Sequence, residues 1–351
     1  MRKVLKIFLI VVLTPVVAFV LLIGYATLTD YRPGASELLP NIKSSSDTLP
    51  DSATINLLSW NIGYCGLDNQ MDFFYDGGIK VRTPEEHLNL NYSAIRSFLQ
   101  TDDSVDIILL QEVDIKSKRS YQFNEVKKLT ETFSGFSSFY AKNYDVFFVP
   151  LPPKNPMGAV NSGLLSLSRI NPAAITRYTF PGQYGWPKRL FMLDRCFLVM
   201  RFPVSNGKEL LIINLHNEAY DDGSIRDQQM AFLKEFLLSA YNQGNYIVVG
   251  GDWNQCPPGF KPQFSGEVFD SINNKGIDIN YLSSDWQWIY DVSAPTNRRL
   301  DVAYTRGETL TTVIDFFLLT PNIRLRAIKT TDLGFENSDH QPVSIQISLK
   351  K

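Results

Sequence analysis

The stretch "SDHQPV", Ser338 to Val343, contains one of only three histidines in a chain of 351 residues. An imidazole beside a carboxylate can move a proton near neutral pH. The same residue types also cap strands at a surface. The rest of the chain favours the chemical reading. Polar residues recur where apolar runs end: Asn61 after "LLSW", Glu112 after "ILLQ", His216 after "IINL", and Asp252 and Asn254 after "VVGG". Asp315 interrupts "VIDFFLL", and Asp339 with His340 precede the last apolar run. Any one of them suits a turn or a helix cap. As a set, the carboxylates and amides supply the oxygen donors that a hard cation such as Mg²⁺ prefers. His216 and His340 add two groups suited to proton transfer. The three cysteines, Cys65, Cys196 and Cys256, lack zinc-like spacing, and an odd number leaves at least one without a partner in a monomer. This combination points to metal-assisted hydrolysis.

Elements must bring those residues together. The runs "TINLLSWNI", "VDIILLQEV", "SGLLSLS", "CFLVMRF", "ELLIINLH", "NYIVVGGDWN", "TTVIDFFLLT" and "QPVSIQISL" have strand character. Helix-like stretches lie between several of them, including "YSAIRSFLQ" and "SIRDQQMAFLKEFLLSAYNQG", the latter with Gly244 as its stop. There is no internal repeat. Alternating strands and helices predict an α/β (α+β) domain over residues 53–350, and a composition that is 44% hydrophobic can fill a large core.

The N-terminus has a different character. Arg2, Lys3 and Lys6 are followed by no charged residue until Asp30. Ile7 to Leu28 has the length of a bilayer-crossing helix, about 20 residues. A cleavable signal has a shorter apolar stretch and a small-residue cleavage site, so an uncleaved anchor is expected. The basic flank places residues 1–6 in the cytoplasm and the domain on the extracytoplasmic side. Residues 29–52, rich in Pro, Ser, Asn and Asp, read as a linker without periodicity.

A net charge of −2 argues against a broad non-specific grip on nucleic acid. The local basic runs "KSKRSYQFNEVKK" and "PTNRR" read as solvated faces in preference to a nucleic-acid groove. Phe73, Phe74 and Tyr75 in "MDFFYDGG", and the Trp pair of "DWQWIY", fit either core or the wall of a lipid or ligand pocket.

In this order, "SWNI", "LLQEVD", "NSGLLSLSR", "INLHN", "GGDWNQ", "VIDFFLL" and "SDHQPV" resemble the endonuclease/exonuclease/phosphatase superfamily. That superfamily includes deoxyribonuclease I, exonuclease III type repair enzymes, neutral sphingomyelinases and inositol polyphosphate 5-phosphatases. The resemblance runs from Ala53 to Lys350 and suggests a membrane-anchored, bacterial-type member. It implies a four-layer sandwich of two mixed β-sheets flanked by helices, here preceded by one transmembrane helix. It also implies hydrolysis of a phosphate ester, in nucleic acid, phospholipid or inositol phosphate, by a monomer using Mg²⁺, with Mn²⁺ or Ca²⁺ as substitutes.

Carried over by motif, Asn61 and Glu112 hold the metal, Glu112 directly, with Asp339 facing it. Asp252 and Asn254 orient the attacking water and the phosphate. Asp315 backs His340, and His216 donates to the phosphate or the leaving oxygen. Thr296 of "APTNRR" is a phosphate-contact candidate, against a plain turn after Pro295. Asn161 stands near the position where deoxyribonuclease I has a carboxylate behind its first histidine, and an amide weakens that support role. "NLHN" departs from the Tyr-x-Pro-Asn of the exonuclease III type and sides with the deoxyribonuclease, sphingomyelinase and phosphatase branches. A non-catalytic binding or scaffold module would share the fold. It would have lost some of Glu112, His216, Asp252, Asn254, Asp315, Asp339 and His340, and this chain keeps them all.

Overall fold

The computed structural model describes residues 2–40, 45–260 and 276–350. Residues 41–44 of the expected linker and 261–275 of the expected domain lie outside the described residues. The apolar runs assemble into two mixed sheets. One has the order β1 (Ser36–Leu38), β6 (Ala174–Thr179), β7 (Cys196–Pro203), β8 (Glu209–His216), β9 (Tyr246–Asp252), β13 (Asp315–Leu319), β10 (Gln287–Ile289). The other has the order β14 (Ile323–Thr330), β15 (Val343–Leu349), β2 (Thr54–Asn61), β3 (Ile107–Asp114), β5 (Gly158–Ser168), β4 (Ser137–Val149). A two-stranded ribbon, β11 (Asn297–Arg298) with β12 (Thr311–Thr312), lies outside both.

Each sheet contains one parallel pair, β8/β9 in the first and β2/β3 in the second, flanked by antiparallel strands. Strands covered on both faces read as continuous apolar runs, and β8 and β9 do so. Leu57, Leu109, Leu198, Ile212, Val248, Phe317 and Ile345 fill the space between the sheets. The outer face of the first sheet packs on α4 (Ser224–Asn242) through Leu233, Leu237, Trp253 and Phe316. The outer face of the second packs on α2 (Glu85–Leu99) and α3 (Glu125–Thr132) through Leu88, Ile95, Leu110 and Leu129. The layers therefore run helix, sheet, sheet, helix. Helix α4 stops where Gly244 takes a left-handed φ of +85°. Trp286 belongs to the core under α4, with Trp288 packed against it, and Phe73 belongs to a lateral cluster with Tyr64 and Val146.

The N-terminal segment is one helix, α1 (Arg2–Thr29), whose stretch Lys6–Thr29 is long and apolar enough to cross a membrane. Most of it is exposed, but Ile23 and Ala26 are buried against Leu190. The segment expected as a linker contributes the edge strand β1, paired with β6. Two of its leucines, Leu39 and Leu49, reach the inter-sheet core, and Leu49 bridges Val204. Burial of those leucines ties down an otherwise polar stretch.

Candidate active site

The two parallel pairs end side by side, and their last residues form the site. In β8/β9, His216 stands opposite Asp252, which in turn stands opposite Asp315 at the start of β13. Two glycines make this alignment possible. A Cβ on Gly250 would lie 2.4 Å from Phe317 Cε1, and one on Gly251, whose φ is +144°, would lie 2.1 Å from the carbonyl oxygen of Leu215. In β2/β3, Asn61 stands opposite Gln111, and the β3/β5 register slips between Leu110 and Val113. That bulge carries Glu112 at a left-handed φ of +54°. Bulges and left-handed non-glycine residues cluster at functional sites because they re-aim a side chain. The loop before β15 brings in His340. Its carbonyl accepts from Trp60 Nε1 (2.9 Å), and Ser338 Oγ donates to the carbonyl of Asn61 (2.8 Å).

Asp252 is the junction. Its Oδ2 accepts from Asn61 Nδ2 (3.0 Å) and lies 3.3 Å from His216 Nε2 and 3.7 Å from His340 Nε2. Its Oδ1 accepts from the backbone N–H of Asn254 (2.9 Å), whose φ is +50° and whose side-chain amide donates to the carbonyl of Asn217 (2.9 Å). Asn61 Nδ2 also donates to Glu112 Oε1 (3.1 Å). On the other side of the imidazole, His340 Nδ1 meets Asp315 Oδ2 at 2.8 Å. Asp339 Oδ2 stands 3.7 Å from His340 Nε2. Asn61, Glu112, His216, Asp252, Asn254, Asp315, Asp339 and His340 are thus gathered across both sheets, and His216, Asp252, Asp315 and His340 are each at most 5% exposed.

The two imidazoles differ in charge. Burial, with the Arg195 guanidinium next in weight, pushes the pKa of His216 well below the usual value, so it is neutral. Burial acts the same way on His340, but Asp315, Asp339 and Asp252 outweigh it and hold its pKa well above the usual value. Burial, reinforced by Glu112 and opposed by His340, raises Asp339 to about 6.

Thr296 and Asn161 have other surroundings. Thr296 is fully buried, and its hydroxyl accepts from the backbone N–H groups of Ile314 and Asp315 (3.0 Å each), which fixes the start of Asp315's strand. Its neighbour Asn297 faces the site instead, with Nδ2 3.0 Å from His340 Nε2. Asn161 lies on β5 opposite Asp145, its side-chain carbonyl without a hydrogen bond. No hydrogen bond joins it to His216, whose Nδ1 also lacks a partner.

Other residues at the site gave no usable signal in the sequence. Arg119, read as part of a solvated run, is buried, bridged to Asp114 (2.9 Å) and stacked 3.6 Å over the Tyr64 ring. Arg298 is likewise buried, donating to the carbonyls of Asp68 and Met71. Below the site, Gln111 Nε2 donates to Asn214 Oδ1 (2.7 Å), joining the two sheets through a buried amide pair. The remaining histidine, His87, faces Asp68 at 3.5 Å.

Among the described residues, two groups of ligands are available to a cation. Asp252, Asp315 and His340 offer atoms within 4.8 Å of one another. In that trio the Nδ1 of His340 is committed to Asp315, which is the geometry of a charge pair rather than of an ion cage. Glu112 and Asp339 fit a hard cation better, since both offer carboxylate oxygen, whereas Asn61 turns its Nδ2 to Glu112 and its Oδ1 accepts from the N–H of Gly63 (3.0 Å). Next to them the Tyr64 hydroxyl and Asp76 Oδ2 are buried without hydrogen-bond partners. Burial, then Asp339 and Glu112, raise Asp76 to about 7. The donor set therefore fits a divalent cation.

The sequence pattern of the Endonuclease/Exonuclease/phosphatase family matches residues 58–340. The chain belongs to this family. As a member of this family it is a phosphoric ester hydrolase. Solved structures share the family fold at low identity. An endonuclease/exonuclease/phosphatase from Beutenbergia cavernae superimposes with a TM-score of 0.53 at 16% identity, covering 85% of this chain and 72% of that one. D. rerio TDP2, complexed with a single-strand DNA product, gives 0.52 at 13%, covering 84% and 99%. ANGEL2, a 2',3'-cyclic phosphatase, gives 0.52 at 14%, covering 91% and 99%. No curated protein matches the sequence.

Proposed function

We propose that this family member is a membrane-anchored, Mg²⁺-dependent phosphoesterase that cleaves a phosphodiester or phosphomonoester by attack of an activated water. The observation that carries the reading is the convergence of Asp252, His216 and the His340–Asp315 pair on one point beside Glu112 and Asn61. Asp252, oriented by the N–H of Asn254 and the amide of Asn61, accepts the proton of the attacking water. His340 stays protonated against Asp315 and gives its Nε2 proton to the leaving oxygen. His216, neutral, donates a hydrogen bond to a phosphate oxygen. Arg195, buried and with Nη1 unpartnered, adds positive charge near it.

Glu112 and Asp339 are the residues that would hold Mg²⁺, or Mn²⁺ or Ca²⁺ in its place, and the bound ion would neutralise charge that builds on the phosphate. TDP2 with its DNA product and ANGEL2 as a cyclic phosphatase support phosphate esters as the substrate class. The apolar α1 behind a basic flank supports a single-pass anchor with the domain outside the cytoplasm, and we read the chain as a monomer. The test is hydrolysis by the purified chain of plasmid DNA, single-stranded DNA, RNA, sphingomyelin and phosphoinositides, with and without Mg²⁺. Mg²⁺-dependent turnover of at least one is expected, and inertness toward all of them counts against the reading.

A further inference from the structure

The anchor helix joins the domain at the end of the sandwich that carries the site. Strand registers establish this. Cys196 begins β7 one residue before Phe197, which pairs with Leu215, and Thr179, the end of β6, pairs with Cys196. The connection 180–195 therefore leaves the first sheet at the level of His216. In the second sheet, Asp114 pairs with Ser162 and Val149 with Gly158, so the connection 150–157 lies at and beyond the Glu112 end of β3. Strand β1 enters at this end too, the carbonyl of Ala35 accepting from the N–H of Thr179.

Helix α1 docks on the 180–195 connection and on the end of β4 that leads into 150–157. Tyr25 packs edge-on against Phe147 (4.7 Å), and Trp186 Nε1 donates to Thr27 Oγ1 (3.2 Å). Asp30 pairs with Arg189 (3.5 Å), and Ile23 and Ala26 are buried on Leu190. The joint is packed rather than flexible, so a bilayer around α1 fixes which end of the domain meets the lipid. Around the joint, Trp186 (61% exposed), Leu151 (47%) and Phe147 present apolar surface, with Lys154 and Lys188 exposed beside them. Tryptophan and lysine at the level of a helix's last turn suit the membrane–water interface and anionic head groups.

Side chains lead from this rim to the chemistry. Lys188 lies 3.8 Å over the Tyr184 ring, Tyr184 donates to Glu218 (3.3 Å), and Glu218 holds the N–H groups of Ala219 and Tyr220, just beyond His216. Tyr220 in turn faces Tyr75 at 5.7 Å.

We infer that segments 147–154 and 184–191 rest on the leaflet that α1 leaves, and that the site takes its phosphate ester from lipid head groups of that leaflet. This rests on the anchored-phosphoesterase reading and narrows its substrate class. The full chain, reconstituted in vesicles of phosphatidylcholine and phosphatidylglycerol, tests it in three steps. Retention after alkaline carbonate washing is expected, and release would remove both the anchor and the inference. The emission difference between the wild-type chain and Trp186→Phe should be quenched when brominated phosphatidylcholine replaces its plain counterpart. Unquenched emission overturns the docked face.

With Mg²⁺, phosphate or head-group release from the vesicles should fall severalfold when a flexible Gly/Ser segment is inserted between Thr29 and Asp30. Hydrolysis of water-soluble bis(p-nitrophenyl) phosphate should not change. Turnover of the soluble diester without any lipid turnover overturns the substrate class alone. Inertness toward both refutes the phosphoesterase reading instead.

Discussion

His340 Nδ1 and Asp315 Oδ2 lie 2.8 Å apart, though 25 residues and a change of sheet separate them. The contact is buried, so the carboxylate fixes both the orientation of the ring and its charge. It leaves Nε2 facing Asp252 and Asp339, with Asn297 at 3.0 Å.

Removing the carboxylate should move a pH limb. His340 binds its proton more tightly in the folded chain than an ordinary imidazole does. The protonated form is therefore populated below its raised pKa and lost as pH climbs through it. An alkaline fall in kcat/KM is expected from that loss, and Asp315→Asn should shift it to lower pH while reducing kcat. A limb that stays in place in Asp315→Asn would mean that another group titrates.

Glu112→Gln retains the shape of the side chain but removes its charge. Mg²⁺ affinity by calorimetry and turnover should fall together, with partial recovery in excess Mg²⁺. Normal binding in this variant would locate the ion elsewhere.

The buried amide bridge between the sheets should matter to stability more than to chemistry. Asn214→Leu takes from Gln111 Nε2 its nearest acceptor and from the carbonyl of Leu110 the Asn214 donor. A buried polar group left unsatisfied costs about 1–3 kcal/mol. Thermal unfolding should begin a few degrees lower, with Mg²⁺ affinity retained, and an unchanged Tm would contradict this role.

Ile23 and Ala26 are the two residues of α1 buried on Leu190, which suggests where the anchor can be cut. Deleting residues 1–22 keeps that contact and should release an active, detergent-free protein. Persistent membrane retention of this truncation would show that α1 is not what holds the chain there.

What the sequence revealed and what it hid have physical causes. Asn61, Glu112, His216, Asp252 and His340 were legible because polar groups at the ends of apolar runs are conspicuous. The run "ELLIINLH" coincides with β8. Strand β4 was hidden because Lys142, Asn143 and Asp145 break its apolar pattern, and β14 because it is an edge strand that turns Arg324, Arg326 and Lys329 outward. Arg119 and Arg298 looked like solvated charge because what buries them comes from the fold: the Tyr64 ring and Asp114 for one, the carbonyls of Asp68 and Met71 for the other. Thr296 and Asn297 are adjacent, and one turns into the core while the other turns to His340. Only the register distinguishes them.

The most direct test is the rate of His340→Ala on whichever ester the wild-type chain hydrolyses with Mg²⁺, measured beside thermal unfolding of the same preparation. A positioned general acid–base group contributes about 10²–10⁴-fold. A loss of that size is expected in a variant that still unfolds cooperatively, and adding Asp315→Asn should cost little more because the two act as one unit. A fully active His340→Ala would contradict the account at its centre.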